Sequence, residues 1–495
     1  MRENFQDLLK SPPEPPRLIP VAAPTHRERQ AASVFLATLK SVRPFAEEIL
    51  GYFGRRMGPR TDVDAYTEVV FRASPNDRNI RPDGLLILDT GRSRWSALIE
   101  AKIGNARIGA DQLLQYIELA KLHGIDSIIT ISNQFAAFPE HHPVMEANKI
   151  RNNFNILHIS WLRIITIARL MLSYSIDELD ESTIFIIQEM IRFLEHDNIG
   201  VQGFSSMTKH WPKLVDGIKA GHTFKSNDLE VVETIKSWHQ EQQDICLILS
   251  RNLSVPVNLA VPRKYRDDYL RRIEDDARAF ADSRNLVASF AVPNLAGELD
   301  VVSDTSARTI RCGMTVRSPE DRKTYESRLN WLLRQLPEEL PKKTYVRAIV
   351  RGSAPRIALV SELREDLSIA KPDNPNVIPS SFEISVVTDL AGRFSGPETF
   401  IKSLEKAVPE FYDTVAKHIK AWRPPPPRGP ATDGHDAVSV ALNSVHTPEK
   451  IIKRGTIGGR KFAIFEDGSI QVETRAGIKW FKDLTSLKGF MDAPA

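Results

Sequence analysis

Arg81 to Phe135 reads RPDGLLILDTGRSRWSALIEAKIGNARIGADQLLQYIELAKLHGIDSIITISNQF, and the fold turns on how this stretch pairs with itself. Asp83 opens an extended run, Gly84 to Leu88. Asp89 to Arg94, with Gly91 inside, turns the chain, and Trp95 to Ile103 pairs back as a neighbouring strand. Side chains alternate along a strand, so Glu100 and Lys102 share one face while Ala101 points to the other. Asp83, on the adjoining strand, then stands near Glu100, and two close carboxylates repel unless a proton or cation lies between them. A divalent ion resolves that conflict. Mg²⁺ suits one or two carboxylates plus retained waters and a phosphate, with Mn²⁺ as the alternative ion. Such an ion lowers the pKa of bound water, and Lys102 beside it can orient that water or offset charge developing on phosphoryl oxygens. The expected reaction is phosphodiester hydrolysis.

Working outward, Ala110 to Leu122 has helical spacing through Leu113, Tyr116, Ile117 and Ala120. Gln112 and Tyr116, four residues apart, share a face of this helix. Their amide and phenol can hold a phosphate or nucleotide beside the metal, or equally cap a neighbouring carbonyl. Ser127 to Ser132 reads as a further strand. Upstream, Thr25 and Glu28 have the form of a capping box, followed by Ala31, Phe35, Leu39 and Val42 at helical spacing, and Tyr66 to Phe71 reads as extended. The expected order is αβββαβ. Helices over Ile159 to Leu172 and Thr183 to Glu195 would close this first domain near residue 215.

Pro82-Asp83, then Glu100-Ala101-Lys102, then Gln112 to Tyr116 resemble the PD-(D/E)xK nuclease superfamily in a RecB-like form, over roughly residues 25 to 160. The resemblance implies a restriction-endonuclease-like α/β core in which Asp83 and Glu100 bind Mg²⁺. It also implies that Lys102 assists catalysis and that Gln112 and Tyr116 lie by the active site. RecB-like members often carry a further upstream ligand. Glu47 and Glu48 on a helix, or Glu68 in TEVVF, are the candidates, with Glu68 favoured because it stands just before the strand that joins the motif. The metal set so expected is Asp83, Glu100, Ala101 and Glu68. The implied substrate is nucleic acid, DNA favoured, in a setting of bacterial defence, restriction or repair. A homodimer cutting both strands is left open, as are internal against terminal cleavage and duplex against single-stranded substrate. The rival from another class is a non-catalytic nucleic-acid-binding protein on a retired nuclease fold.

The chain has 495 residues, enough for about three folded units. Hydrophobic residues at 42% and charged residues at 26% exclude wholesale disorder. A net charge of only +3 supplies no global field for nucleic acid, so binding must come from local patches. Two cysteines, Cys246 and Cys312, exclude a disulfide framework and read as buried thiols in a reducing, cytoplasmic compartment. Met1 to Lys10 lacks the apolar stretch of a secretory signal. Ile156 to Tyr174, the most apolar segment, is broken by His158, Arg163 and Arg169 and reads as a core helix rather than a membrane span.

Proline-rich segments Ser11 to Pro20 and Arg423 to Pro430 read as linkers. They divide the chain into a 1–24 segment, a nuclease-like 25–215 domain, an α+β domain at 229–422, a 423–446 linker and a small β-rich module at 447–495. Within the α+β domain, Ile245 to Ser250, Thr309 to Val316, Tyr345 to Val350 and Phe382 to Thr388 read as strands. In the last module Asp467 and Gly468 turn a hairpin, FAIFEDGSIQV. From Thr447 to Met491 nine Lys or Arg stand against five Asp or Glu, interleaved with Phe462, Phe465, Trp480 and Phe481. The aromatics read as a small core before a base-stacking surface. His141 and His142, in a proline-flanked loop, read as surface histidines, Glu298 and Asp300 as ordinary strand carboxylates, and Arg263 to Phe280 as a solvated helix.

Overall fold

The computed structural model describes residues 19, 27–67, 69–71, 80–150, 154–175, 178–350, 356–371, 378–423, 451–457, 460–465, 469–474 and 477–481. Within the first half the elements run α1 (Arg27–Ser41), α2 (Arg43–Tyr52), β1 (Asp62–Thr67), β2 (Gly84–Asp89), β3 (Arg94–Ala101), α3 (Ala110–Leu122), β4 (Ser127–Ser132), α4 (Met145–Ile150), β5 (Asn155–Ser160), α5 (Trp161–Ser175), α6 (Glu181–Leu194) and α7 (Trp211–Lys219). The five strands form one sheet in sequence order, β1 to β3 antiparallel and β3 to β5 parallel. Every residue of β4 is buried, as a parallel strand covered on both faces requires. Leu98, Ile128 and Ile156 face α3, while Ala97, Ile99, Ile129 and Leu157 face a cluster built with α1, α2, α5 and α6.

The chain continues through α8 (Leu229–Leu253), β6 (Asn258–Leu259), α9 (Tyr269–Ser283), β7 (Asn285–Ala291), β8 (Leu299–Asp304), β9 (Thr309–Arg317), α10 (Tyr325–Leu333), β10 (Thr344–Ile349), β11 (Arg356–Leu359), α11 (Val360–Glu365), β12 (Ser381–Asp389) and α12 (Pro397–Thr414). Its seven strands make an antiparallel sheet, ordered β11-β10-β12-β9-β8-β7-β6, over a core that runs from Met207 to Ile419. Helix α8 joins the two sheets. The Gln240 amide accepts from Phe135 N at 2.6 Å and donates to Phe135 O at 2.7 Å, and Gln243 accepts from Arg163 at 2.9 Å. Its other flank donates to Val287 O from Trp238 and Gln242.

Contacts divide the chain into Met1–Pro424 and Pro425–Ala495. The second unit holds β13 (Ile451–Ile457), β14 (Arg460–Phe465), β15 (Ile470–Thr474) and β16 (Gly477–Phe481) in one antiparallel sheet with Ile470 and Val472 buried. No described helix is long and apolar enough to cross a membrane.

Three local expectations are corrected. The extended run at Tyr66 to Phe71 is a strand that ends at Thr67 and begins at Asp62, because six residues register against Asp89 to Gly84. The helix expected from Ile159 starts at Trp161, after strand β5. Ile245 to Ser250 belongs to helix α8, not a strand: a short apolar run buried on all sides looks the same in either conformation, and only the length of the surrounding helix separates them. Thr25, Glu68, the turn at Asp467 and Gly468, the first linker apart from Ile19, and the second linker beyond Arg423 lie outside the described residues.

Candidate functional site

Asp83 immediately precedes β2, and the Gly84–Ile99 register sets it beside the end of β3. Its Oδ2 accepts Ala101 N at 2.8 Å. Gly84 is required here: a Cβ would lie 2.4 Å from Leu36 Cδ1 and 2.9 Å from Tyr66 O, so only hydrogen fits between helix α1 and strand β1. On the other side, Lys102 N donates to Ile131 O at 2.8 Å and Trp161 Nε1 to Lys102 O at 2.9 Å. Trp161 is fully buried and packs edge-on against Phe35. The peptide carrying Lys102 is therefore held by both the sheet and the core.

Three of the expected residues, Lys102, Gln112 and Tyr116, converge on Glu100, which is 3% exposed, with Asp83 held beside it on Ala101 N. Its Oε1 accepts from Lys102 Nζ at 2.5 Å and from Gln112 Nε2 at 2.6 Å, and its Oε2 accepts from Tyr116 O–H at 2.6 Å. Gln112 also donates to the Tyr116 hydroxyl at 3.2 Å, tying the two helix residues into one network. Each donor to this buried carboxylate is charge-assisted and offsets its desolvation.

One participant escaped the sequence reading. Glu28, on the first turn of α1, accepts Ile103 N with Oε1 at 3.2 Å and stands 3.8 Å from Lys102 Nζ with Oε2. Its place three residues after Thr25 gave it the look of a cap, and nothing local announces a contact 75 residues away. Of the upstream candidates, Glu47 pairs with Arg43 at 3.0 Å, and with Glu48 it lines a separate cavity beside Tyr52 and Arg163. Both stand apart from the cluster.

Burial, then the charge of Glu100, pushes the Asp83 carboxyl up to about 6, against the pull of the Ala101 hydrogen bond and Lys102. Burial by itself would lower the Lys102 ammonium, but the hydrogen bond to Glu100 and the charges of Glu100, Glu28 and Asp83 outweigh it and leave it raised. Lys102 is thus a cation here, a donor and not a base. Burial and the neighbouring Glu100 push the Tyr116 phenol far up, so it remains a neutral donor.

Two carboxylates, Glu100 and Glu28, flank the Lys102 ammonium, with Asp83 beside them, and Asp83 Oδ1 accepts no hydrogen bond among the described residues. Oxygen donors of this kind are those a hard divalent ion takes. Among the described residues, no group of three or more His, Cys, Asp or Glu side chains is placed to hold a metal ion. Water, a phosphate or the Ala101 main chain would have to complete the coordination, which is how Mg²⁺ is commonly bound.

His141 and His142 are not surface residues: they are 1% and 2% exposed. His141 stacks on Tyr269, with ring centroids 5.0 Å apart. His142 belongs to a relay whose tautomers follow from its ends. Val144 N–H donates to His142 Nδ1, leaving Nε2–H for Thr130 Oγ1; the Thr130 hydroxyl donates to His158 Nδ1, and His158 Nε2–H ends on Gln134 O. Each nitrogen is used, so the relay is structural. Cys246 and Cys312 are buried free thiols, and Asp300 accepts from Ser289 on the sheet.

No protein-family model matches the chain, and no curated protein matches it.

Proposed function

We propose that the chain is a Mg²⁺-dependent nuclease with a restriction-endonuclease-like core, hydrolysing phosphodiester bonds, in DNA by preference. The observation that carries the reading is the convergence of Lys102, Gln112 and Tyr116 on the buried Glu100 carboxylate, with Asp83 beside it on Ala101 N, the residues drawn from α3 and from the ends of β2 and β3. A structural ion pair needs no such retinue. A buried Glu with a Lys partner would be satisfied without a second carboxyl raised to about 6 beside it.

Asp83 and Glu100 would hold the ion, with Glu28 and the Ala101 carbonyl on its flanks. When bound, the metal polarises a phosphodiester oxygen and supplies hydroxide at neutral pH. Gln112 and Tyr116 fix Glu100 in orientation. Lys102, an ammonium at the mouth of the cluster, donates to the phosphoryl oxygens as their negative charge grows.

The test incubates the full chain with plasmid, linear and single-stranded DNA, with Mg²⁺ or chelator, beside Lys102→Ala and Asp83→Asn. Metal-dependent cutting that both substitutions abolish is the expected result. DNA binding without cutting in all three proteins would replace the enzyme with a scaffold.

A further inference from the structure

A cavity of about 850 Å³ lies between the loops at the ends of β3 and β4 and helix α8. One wall starts at Gly104, two residues past Lys102, and continues through Asn105, Arg107, Asn133 and Gln134 in the loops that follow β3 and β4. This wall is internally fixed: Asn133 Nδ2 donates to Gly104 O at 3.1 Å and Gly200 O at 2.8 Å, and Gln202 N donates to Asn133 Oδ1. The opposite wall is Glu233, Lys236, Ser237 and Gln240 of α8, with Tyr269 of α9 behind and the 202–210 segment across one end.

Three features of the lining point to one class of occupant. Arg107 and Lys209 are exposed cations with no ion pair among the described residues, whereas Lys236 is neutralised by Glu233 at 2.8 Å. Half-buried Phe204 lines the same space, while the Tyr269 ring is buried and stacked on His141. Beside them stand the side-chain amides of Asn105, Asn133, Gln134 and Gln240, able to donate to and accept from base edges. Unpaired cations, an aromatic side chain and amides are components of a single-strand nucleic-acid groove. The volume is that of a small-ligand site, with room for a few nucleotides of one strand and none for a double helix.

We infer that this cleft holds a single nucleic-acid strand and leads it to the Glu100 cluster, Arg107 and Lys209 taking phosphates at its rim. The inference rests on the nuclease reading for its direction, not for the binding itself.

The experiment measures fluorescence anisotropy of a labelled single-stranded oligonucleotide of about ten nucleotides with the full chain in chelator. The proteins are unchanged chain, Arg107→Glu/Lys209→Glu, and a control reversal, Lys402→Glu, on helix α12, outside the cleft lining. The rim variant should bind at least tenfold more weakly. Its log–log salt slope should be shallower by about 1.4, that is, about 0.7 for each of two lost phosphate contacts. The Lys402→Glu control should bind as the unchanged chain does, and a duplex of the same sequence should compete poorly. Ribose and deoxyribose versions of the strand distinguish RNA from DNA as its source. Unchanged binding by the rim variant, or a duplex that competes as well as the single strand, overturns the cleft. Cutting with an indifferent rim leaves the nuclease without this cleft; strand binding through the rim without cutting leaves the cleft without the nuclease.

Discussion

Acid should weaken this protein through His158, and the size of the effect can be worked out. His158 is fully buried at the centre of the Thr130 relay, and burial pushes its imidazole down from 6.5 to about 4. Between those values the unfolded chain takes up a proton that the folded protein refuses. The contribution is therefore intact above pH 6.5 and lost as pH falls toward 4. A separation of about two pK units or more is worth roughly 3 kcal/mol in full, most of it lost by pH 4.5. His142 and His239, also pushed down by burial, act in the same direction. The carboxyls of Asp244, raised to about 6, and Glu405, raised to about 7, act in the opposite one, so the unsubstituted chain alone cannot isolate the term. The perturbation is His158→Gln, an amide that can hold part of the relay without titrating. Urea unfolding of both proteins at pH 7.5 and 4.5, followed by tryptophan fluorescence, should show the variant less stable at pH 7.5. Its deficit should shrink by about 2–3 kcal/mol at pH 4.5. A deficit independent of pH would refute the assignment of a neutral, buried imidazole.

Two further expectations concern the cluster. Gly84→Ala places a methyl against Leu36 and the Tyr66 carbonyl, and overpacking of this kind costs about 1–3 kcal/mol, readable as a lowered urea midpoint with diminished metal binding. Because Asp83 releases its proton at about 6, calorimetric Mg²⁺ affinity should level off above that pH and fall about tenfold per unit below it, as the proton competes for the carboxylate; in Asp83→Asn this dependence should vanish.

Much of the site was legible because it depends on short-range rules. Strand alternation put Glu100 and Lys102 on one side, a turn at Gly91 returned the chain so that Asp83 met Glu100, and a four-residue helical offset paired Gln112 with Tyr116. Each of these follows from a period of two or about 3.6. Glu28 did not, since its approach to Ile103 depends on how α1 packs against the sheet. The histidines misled for a related reason. Proline-flanked loops usually run over the surface, and here the loop is covered by Tyr269 and Arg266, which lie more than 120 residues further on. In α8 the ICLILS run was too short to reveal its period, and buried polar neighbours such as Glu241 and Gln242 erased the amphipathic stripe that marks a surface helix.

That same helix has a consequence for how the molecule can be taken apart. At 1.5 Å per residue its 25 residues span about 37 Å, with Arg251 reaching Thr166, Gln243 receiving Arg163 and Gln240 clasping the Phe135 peptide. A fragment truncated just before Leu229 would strip these partners from the loop after β4 and from α5, and would open one whole side of the cleft. The half that carries the Glu100 cluster is thus not a portable cassette: its scaffolding is borrowed from sequence that follows it, and limited proteolysis should find the region around residue 220 joined by more than the peptide bond it cuts.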